Sequence, residues 1–314
     1  MLRALASLFF YGRFLRPFSR IGLRERQQQW SELPRLDGQC WLVSGASGGI
    51  GAAIVRGAIA RGARVIAVAR SADKLAALRA QTGAPERFVA ECCDLASLTE
   101  LRALLQRLSE RGERIDVLLN NVGVLLNDYQ QTSEGFESSF VSNLLGHYLL
   151  TEGLRKGHLF AADAAVINMA SGGMYGARLD LAKLNAASAS DFDGMAAYAQ
   201  HKRAQVELTR YWNGQWQGEP KVYVMHPGWV DTDGVKRSLP WFRATLKRYL
   251  RSTDEGADTA LWLGATRPPP PAEGIWLDRV LDPEHVFAIS RGGASADELA
   301  AFLADCTDRG GKDG

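Results

Sequence analysis

The chain has only four cysteines, at positions 40, 92, 93 and 306, with no Cys-x-x-Cys pair and no clustered histidine. That scarcity removes the spacing of a metal site and the framework of a disulfide-stapled fold, so no metal and reduced thiols in a cytoplasmic setting are expected. Charge of one sign is equally scarce: 37 Lys and Arg against 35 Asp and Glu leave +2. The surplus is too thin for a nucleic-acid partner. No internal repeat is visible. What is present, 314 residues with 46% hydrophobic and 23% charged, is the make-up of a folded chain with a large core, which excludes global disorder and a polytopic membrane protein.

Acid is missing altogether from residues 1–24, where Arg3, Arg13, Arg16, Arg20 and Arg24 alternate with Leu2, Leu5, Leu8, Phe9, Phe14, Leu15 and Phe18. The longest uncharged run there, Ala4 to Gly12, falls short of the roughly 18 to 20 residues that span a bilayer, and no small-residue cleavage site follows. Three readings of this basic amphipathic stretch stay open: an arm packed on the domain, a helix lying on a membrane surface, or a transit-like leader.

From Cys40 onward, apolar runs alternate with helical patterns. Strands are expected at Cys40 to Val43, Arg64 to Ala69, Arg87 to Glu91, Val117 to Leu119, Ala165 to Met169 and Val222 to Met225, with a last one at Gly274 to Leu277. Helices are expected at Gly49 to Arg61, Asp73 to Gln81, Ser97 to Arg111, Ser133 to Arg155 and Met195 to Gln217. Strict alternation of this kind predicts an α/β fold with a doubly wound parallel sheet. Leu98, Leu101, Leu104, Leu105 and Leu108 follow Ser97 at helical spacing and read as a core stripe behind an N-cap. The run Arg267 to Pro271 reads as a surface connection. The organisation expected is an arm over 1–34, one catalytic domain over 35–305 and a flexible tail over 306–314.

Directly after the first strand comes Ser44-Gly45-Ala46-Ser47-Gly48-Gly49-Ile50-Gly51, opening a helix. Glycines permit positive φ and close approach of backbone to a pyrophosphate, and the helix N-terminus offers N–H groups and a positive dipole end. At the end of the second strand, Ala69 and Arg70 stand where an acid would favour NAD, and a guanidinium there suits a 2′-phosphate. The pairing is worth roughly 1.5 to 3 kcal/mol, enough for a tenfold preference for NADP(H) over NAD(H).

Tyr198 and Lys202 stand four apart in a predicted helix, so they share one face. A free phenol has a pKa near 10 and is a poor acid–base group at neutral pH, and an adjacent ammonium lowers it. Here the residues resemble the short-chain dehydrogenase/reductase family, over Asp37 to Arg279. Gly45, Gly49 and Gly51 match its cofactor turn, with Ser44 in place of a threonine. Asp94-Leu95 matches the acid that contacts the adenine side, and Asn120-Asn121-Val122-Gly123 matches Asn-Asn-Ala-Gly with Val122 as a departure. Asn143 matches the helix asparagine that holds a proton-relay water, Ser171 the catalytic serine, and Pro227-Gly228 the turn beside the nicotinamide. The strings Ser171 to Met174, Phe192 to Met195, Tyr198 to Arg203, His226 to Trp229, Gly256 to Thr259 and Asp278-Arg279 are similar to the dehydrogenase/reductase SDR family member 12 group.

The resemblance implies a Rossmann-type fold and a Ser-Tyr-Lys-Asn site that moves hydride between nicotinamide and a small carbonyl or alcohol. Ser171 would hydrogen-bond the substrate oxygen, Tyr198 exchange its proton, Lys202 depress the tyrosine pKa and hold the nicotinamide ribose, and Asn143 link Lys202 through water to solvent. Ser44, Gly45, Ser47, Gly49, Ile50, Gly51, Arg70, Asp94, Leu95, Asn121, Val122, Gly123, Tyr198, Lys202, Pro227 and Gly228 would line the cofactor. Met174, Tyr175, Trp229, Val235, Leu239, Trp241 and Phe242 read either as an apolar substrate cleft or, since aromatic residues at helical spacing more often pack inside, as core, and the long stretch from Ser171 to Tyr198 reads as a flap over the cleft. Asp231 and Thr232 are placed to order the loop over the phosphates, and His147 reads as structural. Relatives pair through the two long helices, and the oligomeric state stays open between monomer and homo-oligomer. Peripheral membrane contact through residues 1–24 stays open too. The rival readings are a catalytically silent NADP(H)-sensing module acting through a partner and a sugar-nucleotide epimerase.

Overall fold

The computed structural model describes residues 12–310. Its strands are β1 (Cys40–Ser44), β2 (Arg64–Ala69), β3 (Phe88–Cys92), β4 (Ile115–Asn120), β5 (Phe160–Met169), β6 (Lys221–Met225), β7 (Ile275–Leu277) and β8 (Val280–Asp282). They form one sheet in the order β3-β2-β1-β4-β5-β6-β7-β8, parallel except for β8. The helices are α1 (Arg20–Arg26), α2 (Gly49–Ala60), α3 (Ala72–Gln81), α4 (Leu98–Glu110), α5 (Gly146–Lys156), α6 (Gly194–Trp216), α7 (Thr253–Thr266) and α8 (Ala296–Arg309). The reversal of strand order beside β1 opens a crevice at the C-terminal ends of β1 and β4, the place where open α/β sheets bind ligands.

Period-two alternation explains why the strands are apolar throughout. In β1, Leu42 joins a core with α4, α5, α6 and α8, while Trp41 and Val43 join a second core with α2, α3 and α7. Both faces are covered, as a parallel sheet requires. Ser97 caps α4 by accepting from the Glu100 amide, and Leu98, Leu101, Leu104 and Leu108 are buried beneath it. No helix among the described residues is long and apolar enough to cross a membrane.

Several expectations change. The helix expected from Ser133 begins at Ser138, because Gly135 takes a positive φ and Glu137 caps by accepting from the amides of Ser139 and Phe140. Residues Val141–Leu145 then make a π-turn before α5. β5 starts at Phe160 rather than Ala165, through a register shift between Ile115 and Val117 on its neighbour. A strand not foreseen, β8, follows a two-residue turn at Asp278 and Arg279, both with positive φ, the geometry of a tight hairpin. The tail is not free from 306 onward: Cys306 is buried, α8 runs to Arg309, and Arg102 donates to the carbonyls of Thr307 and Gly310.

Of the basic N-terminal stretch, residues 1–11 lie outside the described part. Residues 12–18 are helical and pack on the domain, with Phe14 and Phe18 buried against Tyr175 and the Phe18 ring tilted against His226, their centres 4.3 Å apart. A buried ion pair fastens this arm. Arg251 and Asp278, each 1% exposed, meet at 2.5 and 2.9 Å, and the same guanidinium donates to the carbonyls of Pro17 and Pro227. Removing Arg251 leaves the buried Asp278 carboxylate facing the more distant and half-exposed Arg26 at 3.6 Å, which costs up to roughly 3 to 5 kcal/mol. Arg251→Met is therefore expected to lower the urea-unfolding free energy by about that much, with earlier proteolysis around residue 17. An unchanged midpoint would show the pair to be idle.

Candidate active site

Three glycines shape the turn after β1 for different reasons. Gly45 has φ +67° and Gly49 φ +54°, conformations that L side chains rarely adopt. A Cβ on Gly51 would lie 2.2 Å from the Gly45 carbonyl oxygen, so the first turn of α2 closes directly on the loop. Ser44 links the two central strands: its buried hydroxyl donates to the Leu119 carbonyl and accepts from the Asn121 amide. Asn121 in turn donates to the Ser44 carbonyl, and Val122 stands against Gly45.

The front of this turn is open. A Cβ on Gly48 meets nothing within 4 Å and one on Gly49 meets only the side chain of Thr232, while Gly48 caps α2 without any side-chain hydrogen bond. Free helix N–H groups beside open space fit a pyrophosphate. Ser47 and Ile50 border the space half-buried. Thr232 roofs it while capping the short helix Asp233–Ser238, and Asp231 is tied to Arg243. Arg70, with a side chain 71% exposed, ends β2 and leans toward Asp94 at 3.7 Å. Asp94 itself accepts from the Ala96 amide. The Leu95 side chain is buried in the core, which leaves only its backbone for a ligand.

Three of the four expected catalytic side chains, Ser171, Tyr198 and Lys202, come together past the C-terminal end of β5. Asp193 starts α6 by accepting from the amides of Met195 and Ala196, and Gly194 lets it press against the Leu126 carbonyl. One turn later Tyr198 lies beside Ser171, and Lys202 lies with its ammonium 5.6 Å from the Tyr198 ring centre. That ammonium donates to the Met169 carbonyl at 2.6 Å and to Gln205 Oε1 at 3.3 Å. Burial pushes Lys202 down to about 7. Burial also pushes the Tyr198 phenol up, opposed by Ser171, the reverse of the depression expected from Lys202, because desolvation outweighs any attraction across that gap.

Asn143 sits in the π-turn with its side chain turned to the 121–124 segment: Oδ1 accepts from the Val124 amide and Nδ2 donates to the Val124 carbonyl. The stretch after Ser171 is also not the flap expected. Gln200 holds Arg178 and Asp180, His201 the Leu184 carbonyl, and buried Arg203 the carbonyls of Met174, Ala177 and Glu284. Met174 and Tyr175 are fully covered by the N-terminal arm, so they belong to the core and not to a cleft. Phe242 is buried on Trp229, and Trp241 is exposed. His147 is structural as read: burial pushes it down to about 3, and its Nδ1 meets Gln205.

Sequence reasoning missed three residues. His226 accepts from the Gly228 amide through Nδ1 and shapes the Pro227-Gly228 turn, Arg251 clamps that turn from behind, and Gln205 touches Lys202. Only Gln205 had a legible signal, its place three residues after Lys202 on one helix face.

A model of the short chain dehydrogenase family matches residues 39–242. The chain belongs to the short-chain dehydrogenase/reductase family. Human dehydrogenase/reductase SDR family member 12 is 36% identical over 73% of this chain and 72% of its own length. Mouse retinol dehydrogenase 11 is 30% identical, covering 74% and 75%, and zebrafish (Danio rerio) polyprenol dehydrogenase is 32% identical, covering 78% and 80%. A crystal structure of an uncharacterized Mycobacterium Paratuberculosis protein shares the fold, with TM-score 0.67, 24% identity and 90% of this chain covered against 97% of its own. So does a short chain dehydrogenase from Burkholderia cenocepacia J2315, solved in complex with NADP, with TM-score 0.59, 22% identity and coverage of 84% and 99%. This short-chain dehydrogenase is an oxidoreductase of the nicotinamide-dependent kind.

The buried lysine makes the stability of the protein depend on pH. With a folded value of about 7 and an unfolded one near 10.4, the unfolded chain binds the extra proton across that window. Stability contributed by Lys202 therefore rises with pH from about 7 to about 10. The difference in urea stability between wild type and Lys202→Met is expected to move in favour of wild type over that range. A pH-independent difference would refute the buried state.

Proposed function

We propose that the protein is an NADP(H)-preferring oxidoreductase acting on a small lipophilic carbonyl compound or its alcohol. The observation that carries the reading is the convergence of Ser171, Tyr198 and Lys202 beside the open glycine turn, with Ser171 close enough to the Tyr198 phenol to favour its ionised form. Two hydroxyl groups at one point can bind one substrate oxygen, the serine donating to the developing charge and the tyrosine transferring a proton. The nicotinamide, when bound, supplies or takes the hydride.

In this reading the amides of Ser47 to Gly51 receive the pyrophosphate and Arg70 the 2′-phosphate, with Asp94 and the Leu95 backbone on the adenine side. Asn121 to Gly123, Pro227 and Gly228 border the nicotinamide end, and Lys202 reaches the ribose while keeping cationic charge beside the phenol. Asn143 holds the Val124 loop in place through both ends of its amide. Lipophilicity is supported by the retinol and polyprenol dehydrogenases among the relatives, and by Val235, Leu239 and Trp241 on the segment after Thr232.

The protein acts as a monomer in this reading. Part of the surface of α6, one of the two long helices through which relatives pair, lies under α8, whose Leu299, Leu303 and Cys306 share a core with Tyr148, Leu208 and Trp212. Sedimentation is expected to give one 34.3 kDa chain, and a concentration-independent dimer would end that part.

Tyr198→Phe is expected to abolish turnover of aldehydes and ketones while NADPH still quenches tryptophan fluorescence, and Arg70→Ala to weaken NADPH by about tenfold while sparing NADH. Cofactor binding without turnover on any carbonyl would instead favour the sensing module. Equal losses for both cofactors would remove Arg70 from the 2′-phosphate.

A further inference from the structure

The Lys202 ammonium is 2% exposed, yet no carboxylate among the described residues pairs with it. Its oxygen contacts on the chain are the Met169 carbonyl of β5 and Gln205 Oε1, one turn further along α6. Gln205, itself 1% exposed, spends its other end on a different element: Nε2 donates to the Asn143 carbonyl at 2.8 Å and meets His147 Nδ1 at 3.2 Å. A single carboxamide thus stands between the lysine and the asparagine carbonyl, on the line where the family resemblance would place a relay water.

We infer that Gln205 is a positioning residue for Lys202, its carboxamide oxygen keeping the buried ammonium charged and oriented while its amide nitrogen anchors to Asn143. The inference rests on the catalytic reading of Lys202. An amide neither gains nor loses a proton near neutral pH, so this link orders the ammonium without leading protons away from it. The groups facing the ammonium from the surrounding elements leave that task to Gln205. From α6 come the Tyr198 ring and His201, from the π-turn and α5 Asn143 and His147, from β5 the Met169 carbonyl, and from the segment after β4 Gly123. Both histidines are neutral, pushed by burial to about 3 and about 4, so they add no cation at neutral pH and no anion to hold one. The backbone carbonyl of Met169 cannot be tuned. Gln205 Oε1 is the variable partner.

The test uses the full-length protein and two near-isosteric variants, Gln205→Met, which removes the acceptor, and Gln205→Glu, which replaces it with an anion. With eight lysines in the chain, the Lys202 Nζ resonance can be assigned by nitrogen-15 NMR against Lys202→Arg and titrated without substrate. The expected result is a titration midpoint that falls by about one pH unit in Gln205→Met and rises by at least about one unit in Gln205→Glu. The alkaline limb of NADPH-dependent carbonyl reduction should move in the same directions. A packing role would lower stability or turnover in both variants without splitting the midpoints. Midpoints that stay put, or move the same way in both, overturn the inference. If Gln205→Met does not fold, Gln205→Glu decides alone, since an adjacent carboxylate that fails to raise the midpoint is incompatible with it. Absence of turnover on every carbonyl would strike the catalytic reading and leave the Nζ titration standing as a separate answer.

Discussion

A lysine ammonium buried with no carboxylate partner among the described residues is the constraint around which this molecule is arranged. Removing a cation from water is expensive unless oxygen atoms take over its hydrogen bonds, and here those oxygens come from β5 and α6, with the α6 carboxamide braced by the π-turn. Each element must therefore arrive at the same point in a fixed orientation. The cap at Asp193, the missing side chain at Gly194 and the change of helical pitch at Val141–Leu145 are the local means by which this happens. π-turns are frequent at functional sites because they turn backbone carbonyls away from the helix, and the Asn143 carbonyl serves Gln205 in this way.

A second buried charge does comparable work on the other side of the cleft. Arg251 joins the N-terminal arm at Pro17, the turn at Pro227 and the hairpin at Asp278, segments that are far apart in the chain. Gly228 must be glycine for this to happen, since a Cβ there would strike the guanidinium at 2.4 Å and its φ is +76°. The arm thereby ceases to be an appendage. Phe18 packs against His226, which shapes the same turn, so residues far upstream of the sheet brace that turn.

Much of this was legible in the sequence. Apolar runs marked six of the strands to within a few residues because both faces of a parallel sheet are buried, and the glycine spacing after β1 marked a turn whose close approach at Gly51 needs no tertiary information to suspect. The Tyr198 and Lys202 pair was legible for the same kind of reason, four residues being one helical turn. Where the reading went astray, a distant partner intervened. Met174 and Tyr175 stayed open between cleft and core until the arm's Phe14 and Phe18 joined their cluster, and the stretch after Ser171 read as a flap until Gln200, His201 and Arg203 tied it to α6.

The sequence by itself determined the class of fold and the family, and marked the glycine turn and the Tyr198 and Lys202 pair as candidates, because each of these is written in short-range spacing of residues with unusual conformational or chemical character. Only the tertiary structure decided that the arm belongs to the core, that α8 packs on α6, that burial pushes the Tyr198 phenol up, and that a glutamine bridges Lys202 to Asn143. Desolvation and side-chain hydrogen bonding depend on which remote segments exclude water from a point in space, and no local pattern of residues encodes that.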